Sequence, residues 1–318
     1  MLRDIANATR RLWVLDRPLT AVGLLMAGVL PIVLAGLVLD PRVVTGAPAW
    51  LKPAKFAASA SLYSLTLAWM LGYLTAWPRL RFTASWTTAT VFVVEVAIIC
   101  VQAWRGVPSH FNVGSPLDAA LFSLMGTAIV IQTVASAAVG YALMRQHIPD
   151  AAMRVALRAG MTIAILGASI GGLMTAPTAR QVQSMTEGRN TTTVGAHTVG
   201  GDDGEPGIPL VGWSRDHGDL RIPHFVGLHA IQVLPLIAWL VRRRGDSGPR
   251  VTRVAAASYA ALVGLLLVQA LRGEPLFSRT PLSLVGGGVW VGLTVLGIAA
   301  AGRTPPAATI PAAQAVEA

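Results

Sequence analysis

Hydrophobic positions in this chain neither alternate nor keep to one helical stripe. They come as continuous runs near 20 residues, the length at which a helix crosses about 30 Å of hydrocarbon. About eight runs are separable, at 19–39, 54–77, 85–104, 119–144, 153–176, 223–241, 251–271 and 282–301, divided by short stretches bearing Arg, Asp, Pro or Gly. The pattern predicts an all-α, polytopic membrane bundle forming a single domain over 1–303. The stretch 304–318, rich in Pro and Ala without an apolar period, is expected to be a disordered tail. The first run continues to spanning length, so it reads as a retained helix and not as a cleaved signal.

Composition agrees with lipid as the solvent. Of 318 residues, 53% are hydrophobic and 13% charged, with a mean hydropathy of +0.59, a balance that would leave a soluble globule with too much apolar surface. A net charge of +10 would suggest nucleic acid for a soluble chain. Here the arginines sort by membrane side, so the expected partner is the bilayer of the inner (plasma) membrane and no nucleic acid is implied. Arg10, Arg11, Arg79, Arg81, Arg242 and Arg243 gather on one side and Asp40, Asp118, Glu187, Asp202, Asp203 and Glu205 on the other, which puts both termini in the cytoplasm. Cys100 is the only cysteine, which rules out an intrachain disulfide or a thiolate metal cluster.

The connection 177–222, between the fifth and sixth spans, is the longest and faces outward in this topology. Ile208, Leu210, Val211 and Trp213 give it apolar material to pack down, so an ordered lid is expected. Gly167 and Gly171 form a small-xxx-small pair suited to close helix approach. Pro31 and Pro235 should kink their helices.

Five of the six histidines, His110, His197, His217, His224 and His229, fall on the outward side, and His147 lies opposite. Lys52 and Lys55, the only lysines, come in beside them. Pro223 suits a first helical position, placing His224 in the first turn and His229 about 7 Å deeper. On a continuous helix their rings point about 140° apart. Glu95 lies in mid-span, where an ionised carboxylate is costly, so it must face the bundle interior. Gln102 follows seven residues later on the same stripe, and Gln132 and Gln232 add buried amides.

These positions suggest Glu95, Arg105, Arg215, Asp219 and Arg221 as catalytic candidates, His110, His197, His229 and Lys55 as cofactor contacts, and His110, His197, His224 and His229 as metal ligands. The leading expectation is an oxidoreductase or cofactor-binding protein holding a haem or transition metal and acting on a small-molecule or lipid-soluble substrate such as a quinone. A proton-coupled transporter using Glu95 and a zinc hydrolase using histidines with Asp202, Asp203 or Asp219 are the alternatives. Plainer roles compete: Trp104 and Trp213 as interfacial aromatics, the lysines as snorkelling anchors, and Asp202 to Glu205 as a solvated turn. A Gly-rich phosphate loop, His-Glu-x-x-His and Cys-x-x-Cys are absent.

Overall fold

The computed structural model describes residues 2–205 and 207–303; the predicted tail lies outside the described residues. Eleven helices are found there: α1 (Leu2–Leu15), α2 (Arg17–Leu39), α3 (Leu51–Leu71), α4 (Pro78–Arg105), α5 (Pro116–Arg145), α6 (Ala151–Met174), α7 (Ala179–Thr186), α8 (Arg221–Leu228), α9 (Ala230–Val241), α10 (Ser247–Leu271) and α11 (Pro281–Gly302). Their ends are written in the sequence. The side chains of Asp16, Ser115, Asp150 and Thr280 cap α2, α5, α6 and α11, satisfying first-turn N–H groups. Pro116 and Pro281 open their helices, and Gly106, left-handed at φ 72°, closes α4.

Six helices are long and apolar enough to cross a membrane, and α8 with α9, bent by 44°, makes a seventh if the pair is one span. The eighth run is α3. Its 21 residues pack between α2 and α4, but Lys52, Lys55 and several Ser and Thr keep it below the apolarity of the others. A chain of this kind contacts the bilayer, and the large apolar side chains exposed on α2, α5 and α11, such as Ile32, Val134 and Leu296, are suited to lipid. The short amphipathic α1 has no counterpart among the apolar runs, because arginines interrupt it. It packs by Leu12 against the core at the end of the bundle where Leu15 meets Gly72.

At the centre stands α6, packed on α5, α8, α9 and α10. Its two predicted glycines both sit at close approaches to α8. A methyl group at Gly167 would lie 2.8 Å from the Gly227 backbone, and one at Gly171 would lie 3.2 Å from the His224 ring. Helix α2 runs through Pro31 without a break. The break near Pro235 falls at His229, which ends α8 and precedes α9. Proline displaces the carbonyl four residues before it, that of Ile231, and the chain yields just upstream.

The long connection is built. Thr178 and Gln181 form a capping box at α7, and β3 (Thr198–Val199) pairs antiparallel with β4 (Gly218–Asp219). A second ribbon, β1 (Val43–Val44) with β2 (Ala47–Pro48), turns through Thr45 and Gly46, both at positive φ, as a tight hairpin requires. Leu210, expected to pack inward, is 80% exposed.

Candidate functional site

Between α3, α4, α5, α6 and α8, and under the 177–222 connection, lies a cavity of about 860 Å³. Much of its wall is apolar: Phe92, Val96 and Ile99 from α4, Met125 and Ile129 from α5, Met161, Ala164 and Ile165 from α6. The wall also collects Lys52, Lys55, Glu95, His110, His197, Asp203, Arg221, His224 and His229. Helical spacing explains the α4 contribution, since 92, 95, 96, 99 and 103 share one face. Gln102 is turned one position off that stripe and donates instead to Asp118 Oδ1 at 2.9 Å. Gln102, expected on the same stripe as Glu95, therefore does not line the cavity.

Glu95 is 3% exposed. Its Oε1 lies 3.5 Å from His110 Nε2, and its Oε2 is buried without a hydrogen-bond partner. Gln132 Oε1, on the same cavity wall, is likewise buried and unpartnered. Its Nε2 donates to Ser136 Oγ, which in turn meets the Tyr63 hydroxyl at 3.1 Å. Buried polar atoms are nearly always paired, so two orphans on one cavity wall mark it as built for something polar. The Lys52 ammonium, on the same cavity wall, stands 5.8 Å from the Phe56 ring centroid.

The three other histidines of the cavity wall have Nδ1 anchored. His197 Nδ1 meets Asp203 Oδ2 at 2.9 Å, His224 Nδ1 donates to the Gly167 carbonyl at 2.7 Å, and His229 Nδ1 meets Gln232 Oε1 at 3.3 Å. Nε2 is the ring nitrogen left over in all three. Burial pushes His110 well below the ordinary histidine range, with the Lys52 charge and the His197 and His224 rings adding to the shift. Burial also lowers His197, partly offset by Asp203. For Asp203 burial works against the charge, but the His197 ring and the amides of His197 and Thr198 outweigh it and hold the carboxyl below its usual range. The Asp202–Glu205 run is thus more than a solvated turn: Asp203 anchors the connection, while Asp202 pairs with Arg180 at the surface.

Other candidates stand elsewhere. Arg105 is bound to Asp118 at 2.6 Å, off the cavity wall, in a clamp between α4 and the start of α5. Asp219 is fully buried, accepts from the Ser214 and Arg221 amides, and takes the Arg221 guanidinium at 2.6 Å. That arrangement tightens the base of the connection and leaves the carboxylate no free oxygen. Arg215 is exposed and off the wall. Lys55 reaches the wall but donates to the Val211 carbonyl at 2.8 Å, and His217 pairs with Glu205 at 3.3 Å. No group of three or more His, Cys, Asp or Glu side chains that could hold a metal ion occurs among the described residues. Residues 167–171 spell Gly-x-Ser-x-Gly, but they lie inside α6 with Ser169 Oγ bonded to the Ile165 carbonyl. A nucleophile elbow needs a strand-to-helix turn.

No family model, curated protein or solved structure matches the chain.

Sequence reasoning passed over Phe111. It holds φ 61°, uncommon for a bulky residue and frequent at functional sites, and its ring packs 4.8 Å from His197 and 5.7 Å from Phe122. No local signal announces a left-handed phenylalanine. The His224 anchor was equally hidden, because its partner is a backbone carbonyl exposed by the Gly167–Gly227 contact.

Proposed function

We propose that this protein is a proton-coupled carrier of the inner membrane for small organic anions with an apolar body, with the cavity mouth facing outward. The observation that supports it most is the buried Glu95 with one oxygen bare, its other oxygen 3.5 Å from His110, on the wall of a cavity that the Lys52 ammonium also lines. At the rim the acids are already engaged, Asp202 by Arg180, Asp203 by His197 and Glu205 by His217. Lys52 makes no hydrogen bond to the protein among the described residues and is left to meet a carboxylate or sulfonate. A protonated Glu95 beside it removes the competing negative charge, so proton and anion bind together. We read the mouth as outward because arginines gather at the other end of the bundle, Arg79 and Arg81 at the start of α4, Arg145 at the end of α5 and Arg242, Arg243 and Arg244 after α9.

Binding is tested by thermal shift of the purified protein with benzoate against benzamide, which share a ring and differ in charge. Stabilisation by benzoate alone, lost in Lys52→Gln, is expected. Equal shifts, or an undiminished shift in Lys52→Gln, would reject the reading.

A haem-dependent oxidoreductase is the second reading, favoured by the anchored Nδ1 atoms of His197, His224 and His229, since metal-ligating imidazoles are commonly held through their other nitrogen. A haem absorption band in the purified protein that disappears in His229→Ala would establish it over the carrier.

A further inference from the structure

An open groove indents the bundle between α1, α3 and α9, lined by Asn7, Arg11, Thr66, Trp69, Gln232 and Pro235 among others. It lies at the opposite end from the cavity mouth. Along α3 the cavity is lined from Leu51 to Tyr63 and the groove from Leu65 to Trp69. The two spaces approach most closely at Gln232, which lines both.

The bonding there has one consistent sense. Thr66 gives its hydroxyl proton to the Leu62 carbonyl at 2.7 Å, so its oxygen accepts from Gln232 Nε2 at 3.2 Å. That orients the amide with Oε1 toward His229, which donates through Nδ1 at 3.3 Å. A strap of two bonds, both long for N–H···O contacts, therefore separates the cavity from the groove. The backbone break at His229 and the 44° bend between α8 and α9 place a hinge directly beside it, and Pro235 removes one helical N–H below it. Weak bonding beside a hinge is what a gate requires.

We propose that Gln232, strapped between Thr66 and His229, is the gate between the cavity and the groove, through which a bound solute leaves toward the opposite face. The inference rests on the carrier reading for what passes, but its test needs no solute. In a Cys100→Ser background, Trp69→Cys in the groove is the reporter, with the protein in liposomes and a membrane-impermeant maleimide added from one side at a time. With Gln232 intact, labelling is expected from the groove side only. Adding Gln232→Ala should raise labelling from the cavity side at least tenfold, and Thr66→Val, which cuts the strap from its other end, should do the same. Both variants are read only where gel-filtration profile and melting temperature match the parent, and two independent cuts guard against one failing to fold. Cavity-side labelling that stays at the parent's level in the folded variants, or that is already high with Gln232 intact, would overturn the gate. Gating without any benzoate-specific shift would instead keep the passage and remove the anion.

Discussion

Replacing Gly167 with alanine should drive α6 and α8 apart. The new methyl carbon would sit 2.8 Å from the Cα and carbonyl carbon of Gly227 and from the Leu228 nitrogen, inside the 3.4–4 Å range of ordinary contact. All three are backbone atoms, which cannot rotate aside as a side chain could. Overpacking of this kind costs about 1–3 kcal/mol, offset by about 1 kcal/mol because alanine is the better helix residue. The same movement lengthens the 2.7 Å bond from His224 Nδ1 to the Gly167 carbonyl. The internal control is Gly172, in the same helix, where a methyl group meets nothing within 4 Å. Gly172→Ala should gain roughly 0.5–1 kcal/mol from propensity alone. Measured as melting temperatures in one detergent, Gly167→Ala should fall by up to about 8 °C and Gly172→Ala should rise by about 1–4 °C. Shifts of the same sign and size in the two variants would refute the packing argument, and with it the reason His224 is held where it is.

Glu95→Gln should leave melting temperature unchanged or higher, because it removes a buried ionisable group with an unpaired oxygen, while abolishing uptake driven by a pH gradient; a destabilised variant would show that Glu95 is a structural tie. Asp219→Asn strips a charge partner from Arg221 in a site where the carboxylate is fully buried, a loss of about 3–5 kcal/mol in comparable settings, and should speed limited proteolysis of the 177–222 connection; unchanged cleavage would contradict its anchoring role. His110 and His197 titrate lower in the folded protein than the ordinary value near 6.5, so the unfolded chain binds protons that the folded chain does not. Stability from both is full above about pH 6.5 and falls as pH drops below it; melting temperatures from pH 7.5 to 5 should decline, and less steeply in His110→Gln and His197→Gln.

The apolar runs made the bundle legible because the length needed to cross hydrocarbon is a local property of the chain. They missed one helix, α1, for a local reason as well. Arginines hid α1, and lysines with serines and threonines make α3 less apolar than its neighbours although it packs among them. Side and depth were enough to single out Glu95, His110, His197, His224 and His229, all of which line one cavity. Pairing was not legible. Asp118 takes Arg105, and Asp219 takes Arg221, and neither choice leaves a trace in residue type or spacing. The relation of His224 to His229 depended on a continuous helix, and α8 supplies it, since its helical bonding runs up to the His229 N–H on the Phe225 carbonyl and the bend comes after.

Coupling of proton to anion is measured most directly in liposomes containing the protein and an internal pH-sensitive dye, with benzenesulfonate added outside because it stays anionic and does not cross as a neutral acid. The account predicts internal acidification with the wild-type protein and none with Glu95→Gln or Lys52→Gln. No acidification beyond that of protein-free liposomes, or an equal response from Glu95→Gln, would contradict it.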